Sequence, residues 1–425
     1  MSRPSFLLLI AVGVLAGSWN GAAQQYQPKS IQFFGAPQYT GQELLAAAEL
    51  KPGISLTVDE MKQHAKLLMD SGVFDSITFQ FTGVDLRYIL TPSTALLPIR
   101  LTNLPLAEGA ELDAKLHERM PLYHGNVPAD GGLTDQVRAA LEELLAAQGI
   151  KATVEAVATS EAVSRKSAVF FSITAPPVLV GAIHLDGKSP TLEPKAEQIL
   201  EGMTGAPYDQ EGSPSQIATY LGNYYRDEGY IEAAVAALPQ SPAVVSADSI
   251  RIPFQVSVAP GILYKIASVR LAPELLVTQA DFDRQANIEA GDIADGQRVS
   301  QNWEFIARQY HNRGYMQAKI HPAPSFDREK GTVSYDVTAE TGPVYTMGGL
   351  TIENVGDDLR ATMLAAWKMP AGTVFNEGAI LNFYAIGGAN IALSRVFATA
   401  DCKYVLHLND TARTVDVVLR LEKKH

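Results

Sequence analysis

Val299-Ser300-Gln301-Asn302-Trp303-Glu304-Phe305-Ile306-Ala307-Arg308-Gln309-Tyr310 is followed, four residues later, by Gly314-Tyr315. Val299, Trp303, Ile306, Ala307 and Tyr310 recur at spacings of three and four, which places them on one face of a 3.6-residue helix. Gly314 then stands where a helix C-terminus adopts a left-handed conformation that glycine reaches without steric cost. A helix is predicted to end there and a strand to begin. The same step recurs upstream: Ile217, Tyr220, Leu221 and Tyr224 lead into Gly229-Tyr230, and further copies stand at Gly149-Ile150 and Gly72-Val73-Phe74. The fifth copy departs, with Arg395-Val396-Phe397 at the equivalent place.

A second glycine keeps the same phase, at Gly53, Gly125, Gly205, Gly291 and Gly372. Two landmarks in register with a period of roughly 80 residues make the chain an internal repeat. Short helical patterns precede this glycine, as in Glu43-Leu44-Leu45-Ala46-Ala47-Ala48 and Glu197-Gln198-Ile199-Leu200. Before them lie alternating strand-like pairs: Ile31 and Phe33, Ile99 and Leu101, Ile183 and Leu185, Ile266 and Val269, Leu350 and Ile352. After Gly314 the pattern gives a strand over Met316 to Ile320, a turn over Phe326 to Gly331, and a strand over Thr332 to Val337. In the last copy Lys403 to Leu408 and Thr414 to Leu421 flank Asn409-Asp410-Thr411-Ala412-Arg413 as a hairpin. The expected architecture is α+β, a tandem array of five small β-α-α-β-β domains at 28–93, 95–176, 178–260, 262–342 and 344–425, the second divergent. Joints such as Glu340-Thr341-Gly342-Pro343-Val344 are short, so no flexible linker is expected.

The N-terminus has its own signature. Arg3 precedes the apolar run Phe6 to Ala16, and the small residues Gly21-Ala22-Ala23 follow, which reads as a secretory signal peptide over residues 1–23. The run is about half the ~20 residues that a bilayer-spanning helix needs. No cysteine stands at that junction, so lipid anchoring is not expected. The net charge of −12 and the absence of a long Lys/Arg run argue against a nucleic-acid partner. Cys402 is the single cysteine, so neither an intramolecular disulfide nor a multi-cysteine metal site can form.

Catalytic signatures are missing. His117-Glu118 begins like a zinc-protease helix, but Met120-Pro121 follows and the second histidine is not there. No serine occupies a nucleophile elbow, and the eight histidines show no metal-ligand spacing. Asp281-Phe282-Asp283 reads as charge that suits a helix N-terminus, and Gly387-Gly388 lacks the strand a nucleotide loop requires. Expectation is therefore no enzyme, no cofactor and no metal.

A repeat of this length and order, with the glycine-aromatic steps Gly229-Tyr230 and Gly314-Tyr315, resembles the POTRA (polypeptide-transport-associated) domain. It is similar to the periplasmic arm of the outer-membrane assembly factor BamA. The resemblance implies, for each copy, a mixed three-stranded sheet with two helices on one face and the second strand at the sheet edge. In that family a membrane β-barrel normally follows the arm. Here only Glu422-Lys423-Lys424-His425 follows the fifth copy, so a free-standing arm without the barrel is expected.

An exposed edge accepts an extended chain as an added strand. The edge candidates are Phe74, Ile77 and Phe79; Tyr230, Ile231 and Val235; Tyr315, Gln317, Lys319 and Ile320; and Tyr404 and Leu406, with Lys319 placed as a gatekeeper. A photoreactive group at Gln317 is expected to report what lies beside the fourth edge. The resemblance implies a periplasmic, non-catalytic scaffold, peripheral to the outer membrane at most. Its partners would be unfolded outer-membrane proteins or assembly-machinery subunits; the alternatives are an adaptor for a separately encoded barrel or secretion pore and, less favoured, an enzyme with a site between repeats.

Overall fold

The computed structural model describes residues 24–160, 167–186, 192–386 and 391–423. The segment read as a signal peptide and the Gly387-Gly388 pair lie outside the described residues. Two compact units emerge, Met1–Thr219 with Ala236–Ser257, and Tyr220–Val235 with Val258–His425.

In the first unit, β1 (Ser30–Phe34), α1 (Gly41–Ala47), α2 (Val58–Asp70), β2 (Phe74–Phe81) and β3 (Asp85–Pro92) give a sheet of order β1-β3-β2. Next come β4 (Leu97–Leu101), α3 (Ala110–Arg119), β5 (Asn126–Val127), α4 (Gly132–Ala147), β6 (Thr153–Ser160) and β7 (Ser167–Ala175), with order β5-β4-β7-β6. A third sheet is made by β8 (Val178–Asp186), β9 (Ala234–Pro239), β10 (Val244–Val245) and β11 (Ile250–Ala259), with α5 (Glu193–Met203) and α6 (Gly212–Asp227) between β8 and β9.

The second unit holds β12 (Lys265–Leu271), α7 (Gln279–Gln285), α8 (Gly296–His311), β13 (Lys319–Asp327) and β14 (Thr332–Glu340), ordered β12-β14-β13. It ends with β15 (Thr346–Glu353), α9 (Asp357–Ala366), α10 (Glu377–Ile386), α11 (Ile391–Thr399), β16 (Ala400–Asn409) and β17 (Thr414–Lys423), ordered β15-β17-β16. The tandem α+β array is the observed fold. First and last strands pair parallel, and the second strand pairs antiparallel to the last, so it lies outermost.

One core explains the pattern. Val333, Tyr335 and Val337 alternate along β14 and point to one face, where they meet Phe282 of α7 and Val299, Ile306 and Tyr310 of α8. Polar helix starts are satisfied locally: Thr40 and Thr57 form capping boxes with Glu43 and Glu60, and Thr278 and Asp295 cap α7 and α8.

Both glycine landmarks acquire a cause. Gly53, Gly125, Gly205, Gly291 and Gly372 all have positive φ and open space where a Cβ would stand, so only the backbone demands glycine there. Gly149, Gly229 and Gly314 close helices in Schellman motifs. For Gly314, its N–H donates to the His311 carbonyl (3.1 Å) and the Tyr315 N–H donates to the Tyr310 carbonyl (3.1 Å). The aromatic after the glycine makes the contact that accompanies this motif, with ring centroids 6.1 Å apart for Tyr310 and Tyr315 and 6.2 Å for Tyr225 and Tyr230.

The fifth copy is corrected by the same physics. The repeat pattern predicts a strand from Phe397, but α11 runs through Val396 and Phe397 to Thr399, and β16 starts at Ala400. No glycine is available there to turn the chain into the left-handed region, so the helix continues for another turn.

Candidate polypeptide-binding edges

The expected edge residues divide into two groups. Phe74, Ile77 and Phe79 lie in β2, Val235 in β9, Lys319 and Ile320 in β13, and Tyr404 and Leu406 in β16. Tyr230, Ile231, Tyr315 and Gln317 do not lie in strands; they occupy the turn between the glycine cap and the edge strand. The reason is the Schellman geometry, after which the Ala233 N–H donates to the Tyr230 carbonyl and the Ala318 N–H to the Tyr315 carbonyl, completing one further turn before the chain extends.

These turn residues belong to a joint. The Gly314 carbonyl accepts from the Tyr345 N–H (2.8 Å), and the Tyr345 hydroxyl and the Gln317 amide both donate to Asp410 Oδ1, at 2.7 and 3.0 Å. One joint upstream, the Gly229 carbonyl accepts from the Tyr264 N–H (3.0 Å), and Glu232 accepts from the Tyr264 hydroxyl and from Arg328 in a two-point ion pair. A turn residue, the tyrosine just before a first strand and a hairpin residue thus form the same clamp twice, with the carboxylate on the turn in one and on the hairpin in the other. Gln317 therefore reports the joint, not an open edge.

The fourth copy's edge is blunted. β13 pairs with β14 over nine successive residues without a register shift, yet carries Pro322 and Pro324. Proline has no N–H to give, so an unbroken ladder requires both to turn their nitrogens away from β14. They remove outward donors that an added strand would need. Lys319 is the first residue of the strand, and Pro322 and Pro324 follow it; the apolar alternation in the sequence ends at Ile320, just before them.

β16 lacks the prolines, though it too carries a lysine, Lys403. It pairs with β17 over ten residues, again unshifted and without proline. Counting from the hairpin, Tyr404 and Leu406 occupy the places of Pro322 and Pro324, so their N–H groups face outward. Their side chains pack against the core, whereas Val405 on the other face is 40% exposed. β6 is a further edge, absent from the sequence-derived candidates, with Val157 52% exposed; its signal is the alternating Val154, Ala156 and Ala158 of the divergent copy.

The end of α10 nearest this edge is tied electrostatically. Glu377 accepts from the Tyr404 hydroxyl (3.1 Å) and lies 2.8 Å from His311 Nδ1 at the end of α8. The His311 hydrogen bond holds the Glu377 carboxyl below its ordinary range, against the opposing effect of burial, with Tyr404 contributing further. A carboxylate depressed on folding stabilises above its unfolded pKa of about 4.3. That contribution is lost as pH falls through the lower folded value. Glu377→Gln is accordingly expected to flatten the acid limb of stability below about pH 4.5, measured by hydrogen exchange of the α8–α10 contact across a pH series.

A cavity of about 540 Å³ in the first unit is lined by Leu101, Leu104, Leu106, Tyr208, Leu238 and Ile252 among others. Of its polar groups, Glu108 accepts from the Leu101 N–H and the Gln210 amide donates to the Leu106 carbonyl (3.1 Å). Its lining among the described residues holds no histidine, lysine or cysteine.

Residues 264–340 match the POTRA family model, described as surface antigen variable number repeat. The chain is similar to the BamA POTRA3-5 fragment of Haemophilus influenzae, at 16% identity and a TM-score of 0.44, covering 58% of this chain and 96% of that one. It is similar to POTRA1-3 of the periplasmic domain of Omp85 from Anabaena, at 17% identity and a TM-score of 0.24, covering 59% and 98%. CdiB from Acinetobacter baumannii is similar over 39% of this chain and 30% of its own, at 12% identity and a TM-score of 0.18.

Proposed function

We propose that this chain, which carries a POTRA domain at residues 264–340 within a tandem array of that fold, serves in the assembly or transport of outer-membrane proteins. It acts in the periplasm without chemistry of its own, holding extended polypeptide along open sheet edges. The process is supported by the match to a polypeptide-transport-associated domain, and the location by the signal-peptide pattern of residues 1–23.

The observation that carries the finer reading is the ten-residue, proline-free edge of β16. Backbone pairing along such an edge is indifferent to most client side chains, which suits clients that are themselves alternating strands. β16 is the foremost site and β13 the blocked one. A photoreactive residue at Val405 in the full chain, mixed with a urea-unfolded outer-membrane barrel polypeptide on dilution, is expected to give adducts. The same residue at Ala323 should give few. Equal labelling at the two positions, or none at either, would defeat the edge assignment.

A further inference from the structure

Two nearby histidines and a glutamate from far upstream in the sequence converge in the first unit. Glu43 comes from α1, His117 from α3, and His124 from the loop after α3. His117 Nε2 lies 3.4 Å and His124 Nε2 3.3 Å from the same oxygen, Glu43 Oε1. All three ligand atoms fall within 4.8 Å of one another. Zinc bonds of about 2.0–2.1 Å in tetrahedral array place neighbouring ligands roughly 3.3 Å apart, so two edges of the polyhedron are already set. The same separations are long for a charge-assisted N–H···O bond, which settles at about 2.7–2.9 Å.

Each ligand is also held from behind. His117 Nδ1 sits 2.8 Å from the Tyr123 carbonyl, which can only accept, so Nδ1 bears the proton. In that tautomer the Nε2 lone pair is turned toward the Glu43 oxygen, the orientation a shared metal ion requires. The other carboxylate oxygen, Glu43 Oε2, accepts from the Thr40 N–H at 2.6 Å, which fixes the group's orientation. Tyr39 packs edge-on against the His124 ring, centroids 5.0 Å apart, and the two imidazoles meet at 77°. Oriented imidazoles and an oriented carboxylate are what a metal site's supporting shell supplies.

We propose that Glu43, His117 and His124 bind one divalent transition-metal ion, zinc in the first instance, through Oε1 and two Nε2 atoms. The ion pins the first sheet's α1 to the α3 segment of the second, and water completes the coordination on the side where His124 is exposed. The site stands apart from the edge reading. No spacing rule could find it, because its ligands come from different folding elements.

The test uses the full chain, untagged and freed of metal with a chelator, titrated with zinc chloride in a calorimeter. One ion per chain is expected, with affinity falling at least tenfold in His117→Ala, in His124→Ala and in Glu43→Gln. Glu43→Gln keeps an oxygen that can accept from the Thr40 N–H, and His124 is at the surface, so both variants retain the fold, which circular dichroism verifies. Zinc should slow amide hydrogen exchange in α1 and α3 of the parent and, at the same zinc concentration, leave Glu43→Gln little changed. A parent that takes up no zinc, as an imidazolium–carboxylate cluster would not, overturns the proposal. So does a titration unchanged by Glu43→Gln or His124→Ala.

Discussion

Gly314→Ala is expected to loosen the joint between α8 and β15, at a cost of roughly 2–4 kcal/mol. At φ +84 an L side chain costs about 1–2 kcal/mol. A Cβ there would also stand 2.7 Å from the Tyr345 carbonyl oxygen and 2.9 and 3.0 Å from Val374 and Val344. A backbone oxygen cannot rotate out of the way, so β15 must shift. That shift loosens the Tyr345 N–H bond to the Gly314 carbonyl and, with it, the Tyr345–Asp410–Gln317 clamp.

Gly291→Ala is the matched control, with φ +97 and nothing near its absent Cβ. It should cost only the conformational share, about 1–2 kcal/mol. A chain of several domains does not unfold in two states, so one midpoint would blur the comparison. Hydrogen exchange at the Tyr345 and Tyr315 amides reads the joint directly. Read for each variant at the amide bonded beside its own glycine, Tyr345 for Gly314 and Ile266 for Gly291, equal losses of protection would mean that packing at the joint adds nothing to the glycine requirement.

The two glycines also mark how much of the fold is legible in the sequence. Periodicity reveals α8 because Val299, Ile306 and Tyr310 face one core, and a helix that buries one face must repeat its apolar residues at three and four. Glycine reveals the helix ends because only the left-handed cap makes the residue type obligatory. Neither signal measures the path of the chain beyond the cap. The extra turn at Tyr315 to Ala318 is made by backbone hydrogen bonds that many residues satisfy, so the sequence pattern starts the edge at Tyr315, four residues before Lys319, and counts Gln317 as part of it. The Glu43, His117 and His124 cluster is invisible for a related reason. Convergence across elements leaves no mark in linear spacing, and His117 reads as half of a failed motif while its partner stands on α1.

The edge strands give the second large effect, because it turns on two residues. Pro322→Val with Pro324→Val should convert β13 into an open edge like β16. Both positions turn their nitrogens outward, so the change restores two donors without touching the ladder to β14. At about 1 kcal/mol for each hydrogen bond, capture of an unfolded barrel polypeptide at this edge should tighten roughly 30-fold. Self-association of the chain should rise with it, since an open edge pairs with its own kind. The reciprocal change is Leu408→Pro, in phase with Tyr404 and Leu406 on β16 and 39% exposed, so that it removes one outward donor and leaves the core intact. Binding at β16 should weaken five- to tenfold, about 1 kcal/mol. Sedimentation velocity reports the first variant and fluorescence anisotropy of a labelled client reports both. If both variants bind client as the parent does, backbone pairing at these edges does not hold it, and the exposed faces of the sheets must do so instead.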